Sequence, residues 1–328
     1  MGHGEMGGSP GRLRQEIREA CLAAGAVAAG FAAAVPVDDD CWQSYLEFAQ
    51  SDRVAGMDYL RNHLDIRRDP RLLLDGAKTI VTLAFSFCQP KKRPASFPRI
   101  SAYAGGEDYH DVIRKRLKAA IAPFSATGAG FRICVDTAPI AERYWARKSG
   151  LGFIARNGML VVPGAGNQVF LAEIITTLKL EPDRELTTGC LDCGACGKVC
   201  PAGALKAGII DCRDCLSYLT IEHRGPWDSR GVAAMSTRAG KETLYGCDRC
   251  VTVCPYSREG DPDKTLPELL FRPEMLTLDA AGARSMDEEA FREMFRRSAV
   301  KRCKFEGWQR NAANLGKEVG KNAGDDAG

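Results

Sequence analysis

Histidine is scarce in this chain, at four in 328 residues, and neither sign of charge dominates: 45 Lys and Arg stand against 42 Asp and Glu, a net charge of +3. That balance excludes a protein that holds nucleic acid through bulk charge, so any basic surface has to be local. Long apolar runs are missing. The best, CLAAGAVAAGFAAAV at 21–35, is too short and too rich in Ala and Gly to cross a bilayer. The chain's start lacks the basic region, apolar core and small-residue cleavage site of a secretory signal, so a cytoplasmic protein with no membrane span is expected. No P-loop, no solenoid repeat and no Ser/His/Asp nucleophile group can be picked out. The histidines, His3, His63, His110 and His223, read as ordinary surface or core residues. GLGFIA at 150–155 fits a loose dinucleotide fingerprint but follows a predicted helix and enters a predicted strand, the reverse of what that site requires. It reads as a helix stop with close backbone packing.

Cysteine is the residue in excess. There are fourteen, nine of them between 190 and 254. Metal-site spacing in a reducing compartment points to metal ligands rather than disulfides. Cys190, Cys193, Cys196 and Cys200-Pro201 form C-x2-C-x2-C-x3-C-P. In that run three thiolates converge on one iron–sulfur cube, while the fourth serves a second cube. The reciprocal group is Cys247, Cys250 and Cys254-Pro255. Cys190, Cys193, Cys196 and Cys254 are therefore assigned to the first [4Fe–4S] cluster, and Cys200, Cys247 and Cys250 to the second. Its last ligand is Cys212 or Cys215, and spacing does not choose between them. Two zinc sites are the competing reading; the third cysteine of the first run and the two C-x3-C-P endings argue against it.

Around this block the pattern is mixed. RLRQEIREACLAAG reads as a helix ended by Gly25, AVAAGFAAA as a strand, and AKTIVTLAFSF at 77–87 as a central strand. DYHDVIRKRLKAAIAPF has apolar residues at helical spacing. FRICVDTAP is a strand, IAERYWARKSG a helix stopped by Gly150, and GFIARNGMLVVPG two strands about Asn157-Gly158. SMDEEAFREMF offers a capping box of Ser285 and Glu288. Residues 295–311 hold six Lys or Arg against one Glu, with Phe305 and Trp308 free to stack on bases or to dock a helix.

CLSYLTIEHRGP at 215–226, with YGCDRCVTVCPYS, resembles the tRNA epoxyqueuosine reductase family. The likeness extends to DPRLLLDGAKTIV, DYHDVIRKRL, VDTAPIAERYWARKSGLGFIARN, FLAEIITTLKLEPD and FRRSAVKRCKFEGWQRNA. The resemblance implies an α/β (α+β) chain. A nitroreductase-like cobalamin-binding domain would occupy 12–180, a ferredoxin-like two-cluster domain 181–265, and a basic helical segment 266–315, between a disordered leader at 1–11 and tail at 316–328. It implies reduction of epoxyqueuosine to queuosine at the tRNA wobble position, with cobalamin and two [4Fe–4S] clusters. It selects Cys215 as the eighth ligand and leaves Cys212 spare. It implies Asp136 as the proton donor, where the residues alone suggest an N-cap; desolvation in the pocket would let that carboxyl keep its proton. Cobalamin contacts are implied at Arg67, Ser101, Asp136, Leu160, Leu171 and Ser217. Ala102 and Arg156 depart from the family, which commonly has Arg and Lys there. The implied partners are the anticodon loop of a queuosine-type tRNA and an external low-potential donor such as flavodoxin or ferredoxin, acting on a monomer. Two other readings stand beside this one. A cobalamin-dependent reductive dehalogenase-like oxidoreductase would share the cofactors but usually carries a twin-arginine signal. A non-catalytic two-cluster electron-transfer protein would not need about 180 residues of α/β structure ahead of the cysteines.

Overall fold

The computed structural model describes residues 10–316. The expected leader and tail lie outside it, apart from Pro10, Gly11 and Gly316. Pro10 and Gly11 open the first helix, α1 (Pro10–Ala23), ahead of the expected boundary at 12. Proline is suited to that place, where its missing N–H would have had no helical partner.

Four strands make one antiparallel sheet: β1 (Ala28–Ala33), β2 (Thr79–Ser86), β3 (Phe131–Cys134) and β4 (Val169–Thr176), in spatial order β1-β2-β4-β3. β2 pairs with β4 from Thr79–Thr176 to Ser86–Val169 and with β1 from Ala28–Ala84 to Ala33–Thr79. All eight β2 residues are buried because both faces are covered; Ile80, Val81, Leu83, Ala84 and Phe85 supply the apolar layers, while Thr79, Thr82 and Ser86 pair their buried hydroxyls with the Leu178 carbonyl, Ser149 and Thr265. Val81, Leu83 and Phe85 meet Ile17 and Cys21 of α1 and Ile113 and Leu117 of α3 (Tyr109–Ile121). Ile80, on the other face, meets Trp42 of α2 (Asp39–Gln50) and Trp145 of α4 (Glu142–Lys148).

Gly150, at φ +67, ends α4; a side chain on it or on Gly152 would run into the carbonyls of Arg184 and Val161. The glycines of GLGFIA thus serve backbone packing, as expected. Phe153–Ile154 and Leu160–Val161 pair about Asn157-Gly158. The cysteine block is mostly loops and short helices, among them α5 (Leu216–Ile221).

The C-terminal segment shares the core of the sheet. Trp308, on α6 (Lys304–Asn314), is fully buried with Phe291 and Phe295, and its Nε1 donates to the carbonyl of Ala283 at 3.1 Å. It docks the helix and does not stack on a base. Trp308→Ala should therefore cost about 3–5 kcal/mol, read as a lowered midpoint in chemical denaturation. The expected capping box is not formed. Ser285 ends the preceding helix, and Asp287 caps the next by accepting from the Ala290 N–H. A carboxylate one residue ahead of the helix leaves a serine further back no N–H to cap.

Candidate active site and cluster ligands

The cysteines gather into two crossed groups. Cys254 stands with Cys190, Cys193 and Cys196; Cys250 stands with Cys247, Cys215 and Cys200. Cys215 precedes α5, and the backbone N–H groups of Tyr218 and Ser217 point at its sulfur. Cys212 is buried in an apolar cluster with Leu216, Leu219 and Met235. Burial pushes the Cys250 thiol up to about 12 and Cys247 up to about 11, and neighbouring sulfurs add to both shifts. Such a donor set becomes four thiolates only when a cationic group compensates it, as metal binding does. Among the described residues no set of three or more His, Cys, Asp or Glu closes on the position of one ion. A cube is held instead at its corners, one thiolate per iron.

A cavity of about 1150 Å³ lies near segments that carry the second quartet, and among the described residues no cysteine is part of its lining. Tyr245, two residues before Cys247, lines it, as do Ile221 and Glu222 at the end of the helix that Cys215 starts. Asp136 reaches the same space from the loop after β3. Its φ of +54 turns the chain there, and its backbone N–H donates to Glu142 Oε1 at 2.7 Å. The N-cap of α4 is Ala141, so Asp136 caps no helix. Its Oδ2 accepts from the Tyr109 hydroxyl and lies 3.1 Å from His110 Nε2. His110 Nδ1 is 2.6 Å from Asp108 Oδ1, and Asp108 Oδ2 is 3.1 Å from Lys301 Nζ.

This chain of charges sets the protonation states. Burial alone would lower the His110 pKa, but hydrogen bonds to Asp108 and Asp136 win and raise it to about 9. Desolvation works upward on Asp136; the bonds from His110 and Tyr109 outweigh it and hold the carboxyl below its ordinary value. The expectation that desolvation keeps a proton on Asp136 is thus corrected: the stored proton sits on its histidine partner. Burial, reinforced by the Asp136 charge, pushes Glu142 up to about 7. Although Asp136 is deep among protein atoms, 53% of its side chain faces the cavity and is open to a substrate.

Of the other expected cofactor contacts, Arg67 lines the cavity, its guanidinium donating to the carbonyls of Asn62 and Tyr59. Ser101 is buried and donates to Asp248, inside the second cysteine loop; Ala102 donates its N–H to the same carboxylate at 2.7 Å. Leu160 and Leu171 pack in one apolar cluster with Ala84 and Leu151. The structure brings none of Ser101, Leu160, Leu171 or Ser217 to this cavity. Arg156 pairs with Asp192 at 3.4 Å. From the sequence, His110 reads as an ordinary surface or core residue and Tyr109 as an apolar position of a helix, and neither as a neighbour of Asp136. The signal available was the acid before them in DYH, which is the N-cap that also grips the imidazole.

Residues 67–137 match the family described as "Epoxyqueuosine reductase QueG, DUF1730", and residues 189–257 the "4Fe-4S double cluster binding domain". An epoxyqueuosine reductase of Cellulophaga algicola is 36% identical over 262 residues, covering 78% of this chain and 82% of that one. The chain belongs to the epoxyqueuosine reductase family. A crystal structure of an epoxyqueuosine reductase with an epoxyqueuosine-modified tRNA stem loop superposes with a TM-score of 0.81 at 28% identity, over 92% of this chain and 80% of that one. An epoxyqueuosine reductase from Bacillus subtilis, with an aspartate-bearing catalytic loop swung out of the active site, gives a TM-score of 0.81 at 27% identity, with the same coverage.

Proposed function

We propose that the chain reduces epoxyqueuosine to queuosine at the wobble position of tRNA. The carrying observation is the Asp136–His110 pair, facing a cavity with a cationic edge whose lining Tyr245 lies two residues before Cys247. The reaction consumes two electrons and two protons, and the epoxide oxygen leaves as water. The cofactors are two [4Fe–4S] clusters and cobalamin; when bound, they supply the electrons. The clusters would be held by Cys190, Cys193, Cys196 and Cys254, and by Cys200, Cys215, Cys247 and Cys250. The cavity exceeds the roughly 300–1,000 Å³ usual for small-molecule sites. Such a space suits a macrocycle that has to share its pocket with an extruded base. Tyr103 and Phe305 offer it apolar surface, and Arg67 a charge. Residues 12–180 and 181–265 are the cofactor and cluster portions of this reading, and 266–315 its basic edge.

The chain's own residues handle the protons. Asp136 Oδ2 takes the proton from His110 Nε2 and passes it to the oxygen released as the epoxide opens. Asp108 holds the imidazole in place, and Lys301 holds Asp108 ionised. Tyr109 remains a hydroxyl and fixes the Asp136 carboxylate. A developing alkoxide close to these groups meets a positioned acid, which is what general acid catalysis requires.

The anticodon phosphates would meet Arg292, Lys301 and Lys304 at the cavity's edge. Lys304 has a φ of +60, a strained backbone that places it there. Arg310, counted in the same basic run, instead donates to the carbonyls of Leu219 and Gly225 at 2.8 Å and stacks over Trp227. Lys304→Gln and Arg292→Gln should each reduce the slope of log Kd against log salt for tRNA by about 0.7–0.9. Arg310→Gln should leave that slope unchanged while lowering stability. Among the described residues no helix is long and apolar enough to cross a membrane. We place the protein in the cytoplasm, as a monomer served by flavodoxin or ferredoxin. The decisive assay supplies the anaerobically purified holoenzyme with tRNA from cells lacking this step and measures queuosine by nucleoside mass spectrometry; unchanged epoxyqueuosine would overturn the reading.

A further inference from the structure

Ten large apolar side chains are exposed among the described residues, and four of them surround the outer cysteine quartet: Ile154 at 41%, Leu191 at 61%, Ile209 at 56% and Val253 at 38%. They come from distant segments that the fold draws together. Leu191 follows Cys190, which packs on Phe153 and Tyr256. Asp192 pairs with Arg156, two residues after Ile154. The hairpin of Leu205–Lys206 and Ile209–Ile210 turns at Gly208, against Arg156. Val253 precedes Cys254, the ligand that closes the outer quartet. Cys193, in the middle, is itself exposed.

Charge on this face is not balanced. Lys198, between Cys196 and Cys200, and Lys206, on the hairpin, are exposed. Asp192 is matched by Arg156; Glu259, which accepts from the Gly164 N–H at 2.8 Å, keeps its charge but follows the exposed Arg258, so Lys198 and Lys206 are left in excess. An apolar patch flanked by unmatched lysines is a binding surface for an acidic protein.

We propose that this face is where a small acidic protein with a one-electron centre docks to reduce the enzyme. The inference rests on the reading that the two quartets hold clusters. GLGFIA, the loose dinucleotide fingerprint, is spent on backbone packing, and no residue of this face or of its quartet lines the cavity. At each encounter the carrier loses one electron and the enzyme gains one. Two encounters and two protons convert one epoxide to an alkene and water. Carriers of this kind use small contacts, below about 1,200 Å², steered by charge and broken quickly. Four exposed apolar side chains and two lysines suit such a contact.

The test uses the holoenzyme and flavodoxin hydroquinone as the probe. Carbodiimide should couple flavodoxin carboxylates to Lys198 and Lys206, as mapped by peptide mass spectrometry. The double variant Leu191→Glu/Ile209→Glu should slow flavodoxin-driven bleaching of the cluster absorbance by about tenfold or more. Lys198→Glu/Lys206→Glu should remove most of the salt dependence of that rate. Bleaching by dithionite, which needs no docking face, should stay unchanged in both. Cross-links elsewhere, unaltered flavodoxin rates, no transfer to the unsubstituted enzyme, or equal loss with dithionite would each overturn the proposal. Bleaching requires no tRNA. A failed turnover assay therefore leaves this readout standing, and unaltered bleaching with normal turnover removes only the docking face.

Discussion

Asp136→Asn is expected to cut the single-turnover rate on epoxyqueuosine tRNA by about 10²–10⁴-fold, the range that one positioned acid contributes. Asparagine keeps the size of the side chain and its bond from Tyr109. It cannot take a proton from His110 Nε2 and hand it on. Iron content and tRNA affinity should match the unsubstituted enzyme, because the substitution keeps the side chain's size and 53% of the Asp136 side chain is exposed. Activity within about tenfold of the parent would remove Asp136 from the proton path. Loss of tRNA affinity instead of rate would make it a binding residue.

The same substitution carries a pH signature. His110 is raised to about 9 by Asp108 and Asp136 together. Turnover should hold through neutral pH and fall as pH rises through about 9, where the imidazolium loses its proton. In Asp136→Asn one of the two acids is gone, so the residual activity should fall at lower pH. Stability follows the same group. Its folded pKa lies above its unfolded value, so the stabilisation it contributes is complete below about 6.5 and is lost as pH rises through about 9. Thermal melts across that window should drop more for the parent than for the variant.

The two cysteine groups were legible in the chain because thiols at fixed short spacings have few other uses, and the fold brings Cys254 to Cys190, Cys193 and Cys196 as the reach of a tight loop suggests. β2 was legible because a strand covered on both faces is mostly apolar, here with Thr79, Thr82 and Ser86 as its buried polar exceptions. The proton path was not. His110 and Asp136 are 26 residues apart and meet only because the start of α3 packs beside the loop after β3. The pKa of Asp136 depends on that meeting, so an argument from burial alone went the wrong way. Trp308 shows a different limit. An aromatic residue in a basic helix has one sequence pattern whether it stacks on RNA or fills a core, and only Phe291, Phe295 and the Ala283 carbonyl decide it. Leu160 and Leu171 illustrate the same ambiguity, since a residue lining a corrin and one lining a core are chosen by the same apolar preference.

Cys212 and Cys215 provide the second large effect, because spacing does not separate them and iron content would. Cys215 stands with Cys200, Cys247 and Cys250, while Cys212 lies among Leu216, Leu219 and Met235. Two cubes hold about eight irons. Cys215→Ala should remove about half of them, along with about half of the charge-transfer absorbance, because a cube missing a corner thiolate is exposed to loss. Turnover should vanish while the remaining cube survives, since Cys190, Cys193, Cys196 and Cys254 do not depend on position 215. Cys212→Ala should keep all the iron and lose only about 1 kcal/mol of stability, from a small buried side chain. The reverse pattern would move the eighth ligand to Cys212 and require α5 to start one turn earlier than Leu216. Full iron in both single variants, with half lost only in the double, would mean that either thiol can close the second cube.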